Sequence, residues 1–147
     1  MKEKVAILVP TRWSVPCDFW VRFMQILGRM GKVCSPELFL NQDTPLYEAR
    51  NRLVEDALRS DSEYTLWLDS DVIPPIDVYE QLRAHNKEIV SGLYFGVTPP
   101  YDPIAHLWYN DHSEFIRTAD LKIGETYPIY SAGMGCVLIK TEVFKRM

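Results

Sequence analysis

The sequence predicts an α/β protein in which strands and helices alternate through the first half and mixed strands follow. Three observations predict this class. Apolar runs without glycine or proline occur at Val5–Val9 and within Tyr64–Val72, as is typical of strands buried on both faces. Apolar side chains recur at the helical period in Asp18–Met30 and after Thr44-Pro45. A strand, turn and strand pattern occupies Ile129–Lys140.

The first elements follow in order. The strand Val5–Val9 is expected to end at Pro10. The helix Asp18–Met30 comes next, and Gly31 offers a C-cap because glycine adopts a positive φ without a steric penalty. The segment Val33–Leu40 is expected to form a strand, and the proline within it favours an edge position, where a missing N–H is tolerated.

A second helix is expected after Thr44-Pro45, since threonine is a favourable N-cap and proline a favourable first residue. Its apolar side consists of Leu46, Ala49, Leu53, Ala57 and Leu58. The strand within Tyr64–Val72 follows. Pro74-Pro75 then begins a short helix that extends to about Ala84.

The second half contains shorter elements. Strands are expected at Glu88–Phe95, Ile104–Tyr109, Ile129–Ser131 and Cys136–Lys140, with a proline-rich loop at Val97–Pro103. The polar segment 110–126 has no clear pattern. Thr141 caps a helix, and only six residues follow this cap. We therefore expect residues 1–147 to form one domain that is truncated at its C-terminus.

Composition excludes several classes of protein. The formal charge of −4, from 16 basic and 20 acidic residues, gives no general attraction to nucleic acid or to an anionic membrane. No apolar run approaches the ~20 residues that cross a bilayer, and the short run before Pro10 does not fit a signal peptide. The three cysteines lack C-x-x-C spacing, which favours reduced thiols. We expect a cytoplasmic protein without a nucleic-acid partner.

The strand within Tyr64–Val72 stops at two carboxylates, Asp69 and Asp71, on either side of Ser70. In open α/β sheets, ligands bind at the carboxyl edge. Side chains two residues apart on an extended chain point to the same side, so both acids can share one hard cation. Such a cation would hold a diphosphate that the carboxylates alone would repel. The alternative is that both acids stabilise the N-terminus of the helix that begins near Pro75.

Five segments, in this order along the chain, resemble the GT-A glycosyltransferases, most closely those of family 2. They are VAILVPTRW (5–13), YEARNRLVEDAL (47–58), YTLWLDSDV (64–72), IVSGLYF (89–95) and SAGMGCVLIKTEVF (131–144). D-x-D alone is a weak signal, but its place between an A-R-N helix and a G-x-G strand is more specific. The resemblance implies a GT-A fold, which is a Rossmann-like nucleotide-binding half with a mixed central sheet.

The resemblance also implies an activity. Such a transferase moves a sugar from a nucleoside-diphosphate-sugar donor to a hydroxyl group of a glycan, lipid or protein acceptor, with inversion expected. Mn²⁺ or Mg²⁺ would bridge Asp69 and Asp71 to the diphosphate, with Asp69 also contacting the ribose. Inverting members place the catalytic acid beyond the helix that begins here at Thr141, so we assign no catalytic base.

The resemblance assigns further donor-binding residues, each with a structural alternative. They are Pro10, Thr11, Arg12, Arg50, Asn51, Asp69, Ser70, Gly133, Met134 and Gly135. The alternatives are a plain strand-to-loop transition at residues 10–12, a solvated helix face at residues 50 and 51 with Glu55 near Arg52, and a tight turn at residues 133–135.

Aromatic side chains at Tyr94, Tyr101, Trp108 and Tyr109 offer a platform for a sugar ring. Aromatic residues on strands belong more often to the core, so we expect Trp108 and Tyr109 to be buried and Tyr101 to be the better platform residue.

Two other functions remain open at this point. A sugar-phosphate nucleotidyltransferase would carry a glycine-rich loop after its first strand, whereas residues 10–18, PTRWSVPCD, contain no glycine. A module that binds a nucleotide sugar without turning it over would keep the D-x-D sequence, and only a transfer assay separates it from an enzyme.

Overall fold

A computed structural model of the chain describes residues 2–11, 14–42, 44–109 and 111–147. The chain divides into two compact units. The first unit comprises the residues up to Gly92 together with Met134–Met147, and the second comprises Leu93–Gly133.

The strands of the described residues are β1 (Lys4–Thr11), β2 (Ser35–Gln42), β3 (Tyr64–Leu68), β4 (Ile89–Ser91), β5 (Ala105–Tyr109), β6 (His112–Phe115), β7 (Ser131–Ala132) and β8 (Cys136–Lys140). The helices are α1 (Cys17–Val33), α2 (Leu46–Arg59), α3 (Val78–Ala84) and α4 (Glu142–Lys145), with a 3₁₀ turn at Thr118–Asp120. The predicted α/β class is therefore confirmed.

The first unit is built on a five-stranded mixed sheet in the order β2-β1-β3-β8-β4. β1 is parallel to both β2 and β3, whereas β8 is antiparallel to both β3 and β4. In the central register, Ile7 lies beside Leu66, which lies beside Leu138. β2 is at the edge, as the proline in its sequence predicts.

The sheet is buried on both faces. On one face, alternate residues of β1, β3 and β8 pack against α1 and α3, with Phe19 and Phe23 at the centre of the α1 contact. On the other face, the remaining residues pack against α2 through Leu53 and Ala57. All five residues of β3 are buried, as its unbroken apolar sequence predicts.

Two predicted ends in the first half are wrong. β1 continues through Pro10 to Thr11 because its pairing with β2 extends past the proline. α1 continues through Gly31 to Val33, so Gly31 is not its C-cap. The chain leaves the helix in an extended conformation at buried Cys34, whose N–H still bonds to the last helical turn. Packing therefore overrides the local tendency of proline and glycine to end an element.

The starts of three helices also differ from the sequence prediction. The N-cap of α2 is Pro45, not Thr44, whose hydroxyl group bonds to a side chain of β2 instead. α3 begins at Val78, three residues after Pro75, where its first side chain enters the core. Thr141 precedes α4 as predicted, but its hydroxyl group forms no capping hydrogen bond.

The expected strand Glu88–Phe95 is shorter than predicted. It pairs only over Ile89–Ser91, and Gly92 follows. A Cβ at Gly92 would lie 2.9 Å from the Sγ of Cys136, so this close approach needs glycine. The three cysteines, Cys17, Cys34 and Cys136, are free thiols, as their spacing predicts.

The second unit is organised by a three-stranded antiparallel sheet in the order β6-β5-β7. The segment without a sequence pattern supplies β6 and the 3₁₀ turn. Trp108 was expected in the core, but its side chain is 51% exposed and lies against exposed Tyr130, with ring centroids 4.6 Å apart. Tyr101 is exposed, as predicted for a loop residue. The side chain of Tyr109 lies outside the described part of the structure.

Among the described residues, no helix combines the length and the apolar character that a membrane crossing requires.

Leu66, at the centre of β3, tests the packing of the first unit. Leu66→Ala is expected to lower the free energy of unfolding by about 2–5 kcal/mol, because the fully buried side chain leaves a cavity between two layers. Urea denaturation measures the change. Met24→Ala, at an exposed position of α1, is the control and should cost less than about 0.5 kcal/mol. Equal losses in the two variants would contradict this core.

Candidate functional site

The order of the strands creates a crevice at the carboxyl ends of β1 and β3. α1 connects β1 to β2 along one face of the sheet, and α2 connects β2 to β3 along the other. Because α1 follows β1 on one face and α2 follows β2 on the other, the loops after these two neighbouring strands diverge and leave room for a ligand. A cleft of about 540 Å³ lies at this point, within the first unit.

Three elements supply the walls of the cleft. They are the end of β1 with the loop after it (Pro10, Thr11, Ser14, Pro16), the start of α2 (Thr44, Pro45, Leu46, Ala49), and the turn after β3 (Asp69, Ser70, Asp71). The sequence predicted the first and third of these walls. It did not single out the start of α2 as part of the site. The available signal was Thr44-Pro45, which marks the N-terminus of a helix directly after a predicted edge strand.

The two predicted carboxylates lie in a turn. Asp69 is the first residue after β3, and its N–H donates to the carbonyl oxygen of Gly135 at 3.0 Å. Val72 donates its N–H to the carbonyl oxygen of Asp69, also at 3.0 Å, which closes the turn around Ser70 and Asp71. The expectation that both acids project to one side of an extended chain is therefore wrong. The turn nevertheless brings both carboxylates to the cleft.

Opposing influences act on the pKa of Asp69. Burial raises its pKa above the ordinary value, and the charge of Asp71 raises the pKa further, whereas Arg50 lowers it. The Nη2 atom of Arg50 lies 3.3 Å from Oδ2 of Asp69 and 3.4 Å from Oδ1. Both side chains of this pair are 26% exposed, and Asp71 is exposed.

The structure separates Arg50 from Asn51. Arg50 points from α2 to the acidic turn, whereas Asn51 lies on the exposed side of the helix. The solvated face also carries Arg52, which bonds to Glu48 and not to the expected Glu55. Of the predicted A-R-N residues, the structure therefore brings only Arg50 to an acid of the cleft.

At the end of β1, Pro10 and Thr11 line the cleft as the resemblance implies. The hydroxyl group of Thr11 donates to the carbonyl oxygen of Asn41 at 3.5 Å. A hydrogen bond of this length is weak, so the hydroxyl group can exchange it for a bond to a ligand. Arg12, the third predicted residue of this segment, lies outside the described residues.

The residues of the G-x-G turn have different surroundings. Gly135 accepts the N–H of Asp69, and Met134 packs against the α2 face of the core. Gly133 belongs to the second unit, where a Cβ would lie 1.8 Å from the hydroxyl oxygen of Tyr94. Close packing therefore accounts for Gly133, and the three residues do not form one surface of the cleft within its described lining.

The alternative role of the acids, at the N-terminus of α3, is not supported by the geometry. α3 begins at Val78, has Asp77 as its N-cap residue and carries Glu80 in its first turn. Residues 72–77 separate Asp71 from the start of α3, and the effect of the helix dipole falls off within one turn.

Asp69 and Asp71 are the candidate ligands in the cleft for a divalent metal. Within the described residues, no three His, Cys, Asp or Glu side chains converge as a ligand set. Two carboxylates are fewer than a protein-only site needs, but Mg²⁺ in phosphate sites is commonly held by one or two carboxylates, with substrate oxygens and water completing the shell. Asp69 and Asp71 meet that requirement, and their mutual repulsion would be relieved by the ion.

Comparisons with known proteins bear on the fold. No protein-family model matches the chain, and no curated protein sequence matches it. Among solved structures, the chain is similar to the crystal structure of A197 from STIV, with a TM-score of 0.62 at 17% identity. The match covers 99% of this chain and 68% of A197. At this identity the similarity shows a shared fold alone.

The raised pKa of Asp69 predicts that the stability of the protein depends on pH. The pKa of Asp69 is raised in the folded protein, so the folded state binds this proton more tightly than the unfolded state does. The stability that Asp69 contributes should therefore fall as the pH rises from its ordinary value of 3.8 through the raised value. The free energy of unfolding of Asp69→Asn relative to wild type should rise over the same interval.

Urea denaturation of both proteins at several values between about pH 4 and 7 measures this difference. A difference that stays flat would contradict burial as the dominant influence on Asp69. A difference that falls with increasing pH would show that the ion pair with Arg50 outweighs the cost of burial.

Proposed function

We propose that this chain is the nucleotide-sugar-binding core of a metal-dependent glycosyltransferase with a GT-A fold. The observation that carries the proposal is the position of Asp69 and Asp71, which follow the central buried strand and line one cleft with the end of β1 and the start of α2. In the proposed reaction, an acceptor hydroxyl group attacks the anomeric carbon of a nucleoside-diphosphate sugar with inversion.

The walls of the cleft suit a nucleoside diphosphate. A volume of about 540 Å³ lies within the ~300–1,000 Å³ that is usual for small-molecule sites. The start of α2 contributes backbone N–H groups and the positive end of a helix dipole, both of which favour an anion. Thr11, Ser14 and Thr44 add hydroxyl groups that can bond to a ribose or a base.

Asp69 and Asp71 would hold the metal. A divalent ion supplies positive charge that binds the diphosphate and stabilises it as it leaves the sugar. The protein contributes the fixed turn, because the backbone bonds of Asp69 to Gly135 and Val72 set the spacing of the two carboxylates before any ligand arrives.

The order of strands supports the GT-A assignment. The parallel strands β2-β1-β3 with helices on alternate faces suit a nucleotide-binding half, and β8 inserts antiparallel beside β3 to make the sheet mixed. The similarity in fold to A197 from STIV extends over nearly the whole chain but names no activity for this protein.

A second candidate is a module that binds the donor without transferring sugar. One observation favours it: among the described residues that line the cleft, Asp69 and Asp71 are the only acids and there is no histidine. With both acids assigned to the metal, that lining offers no general base, which is typically worth ~10²–10⁴-fold in rate. An assay with radiolabelled donor and lipid, sugar and peptide acceptors separates the two functions, since only the transferase labels an acceptor.

Metal-dependent donor binding is the direct test. UDP- and GDP-sugars should bind with Mn²⁺ or Mg²⁺ and lose most of their affinity in EDTA, because the carboxylates repel an unescorted diphosphate. Asp71→Asn should lose the metal-dependent part while melting like wild type, since Asp71 is exposed and outside the core. Calorimetry measures both effects.

The matched control is Asp61→Asn, which makes the same change of charge at an exposed position remote from the cleft lining. It should bind the donor as wild type does. Equal affinity with and without EDTA would contradict the metal bridge, and loss of cooperative melting in Asp71→Asn would indicate a structural role for the turn.

A further inference from the structure

Arg50 holds Asp69 by a loose ion pair. A single nitrogen, Nη2, reaches both carboxylate oxygens at 3.3 and 3.4 Å. Strong charge-assisted pairs are shorter, about 2.7–2.9 Å, and arginine commonly uses two nitrogens in parallel. The Nε of Arg50 is buried and has no hydrogen-bond partner among the described residues. The guanidinium group therefore retains bonding capacity that Asp69 does not satisfy.

The two acids of the turn differ in their counter-charges. Asp69 faces Arg50, whereas no salt bridge reaches Asp71 from the described residues. A divalent cation that approaches the turn therefore meets one available carboxylate and one that is already balanced by a cation. The ion and the guanidinium group compete for Asp69, because two cations beside one carboxylate repel each other.

A diphosphate changes this balance. Arg50 is not itself among the described residues that line the cleft, but its Nη2 lies 3.3 Å from Oδ2 of Asp69, which is, so the guanidinium group lies directly beside the acidic turn. Phosphate oxygens match the donor fork of arginine and carry more negative charge than one carboxylate. When a metal takes over Asp69, a diphosphate in the cleft offers Arg50 a better partner than the one it loses.

We propose that Arg50 exchanges anions, pairing with Asp69 in the ligand-free protein and with the diphosphate once donor and metal are bound. The inference rests on the proposed function and adds an order to it. Metal and nucleoside diphosphate bind with positive coupling, because each removes the obstacle to the other, and the coupling acts equally in both directions.

The test uses Mn²⁺ alone, UDP or GDP alone in EDTA, and Mn²⁺ with each nucleotide, all measured by calorimetry. The proteins are wild type, Arg50→Gln, Arg50→Lys and the control Arg52→Gln. Arg52 lies two residues along the same helix and pairs with Glu48 on the exposed face, so its loss makes the same change of net charge without touching the cleft lining.

Arg50→Gln should bind Mn²⁺ alone about 3–10-fold more tightly than wild type, because the competing cation is gone. It should bind UDP or GDP in the presence of Mn²⁺ about 10-fold more weakly, since the charge-assisted hydrogen bond to the diphosphate is lost. These opposite changes reduce the coupling between metal and nucleotide. Arg50→Lys keeps the charge but loses the planar donor fork of arginine. It should therefore leave the affinity for Mn²⁺ alone unchanged and lower the affinity for the nucleotide. Arg52→Gln should stay within about 2-fold of wild type in each case.

Unchanged or weaker binding of Mn²⁺ alone by Arg50→Gln would overturn the exchange, as would undiminished coupling. If Arg50→Gln does not fold, wild-type nucleotide affinity in Arg50→Lys would overturn it. Failure of the proposed function has a different result, in which wild type binds neither UDP nor GDP with Mn²⁺. In that case the comparison of Mn²⁺ binding between wild type and Arg50→Gln still decides whether Arg50 and the metal compete.

Discussion

The burial of β3 on both faces is the constraint on which the rest of the first unit depends. A strand enclosed by helical layers cannot carry a charge, and its polar groups must bond to one another. The indole N–H of Trp67 donates to the hydroxyl group of Thr65, and that hydroxyl group donates to the carbonyl oxygen of Ile139 on β8. The first charged side chain, Asp69, therefore marks the point at which the chain leaves the core.

The position of the candidate site follows from this core and not from the loops that line it. α2 is fixed against the sheet by Ala49, Leu53 and Ala57, which are all buried, and this packing places Arg50 beside the turn. β8 is fixed by its pairing with β3, and Gly135 just before it holds the N–H of Asp69. The cation and the acid that face each other are thus carried by rigid elements, as preorganised sites require.

Sequence patterns predicted the elements that packing and local preference both favour. The bounds of β8 and the start of β3 agree with the prediction because apolar runs there are bounded by polar residues. Local signals failed where tertiary contacts oppose them, as at Gly31 within α1 and at Pro10 within β1. Trp108 was predicted to be buried and is exposed. An aromatic residue type does not indicate which face of a small sheet is exposed to solvent.

The candidate site was predictable only as far as single segments carry it. The apolar strand that ends in D-S-D identifies the acids, but the turn that reorients them depends on a hydrogen bond that skips two residues. The pairing of Arg50 with Asp69 spans 19 residues, and it requires the crossing of α2 from one strand to another. The start of α2 lines the cleft because β2 pairs beside β1, and this order of strands cannot be deduced from a single segment.

The acidic turn is the place where the chain departs from what stability alone favours. Burial and the neighbouring Asp71 both oppose ionisation of Asp69. Arg50 favours it, but the contact is loose, and the Nε of Arg50 has no partner in the part of the chain that the structure describes. α3 has its own N-terminal acids and does not need these carboxylates. Such local conflicts persist when a ligand resolves them, and a divalent ion with a diphosphate would satisfy both carboxylates and Arg50 at once. Under the proposed function, this cost in the free protein would be offset when the ligand binds.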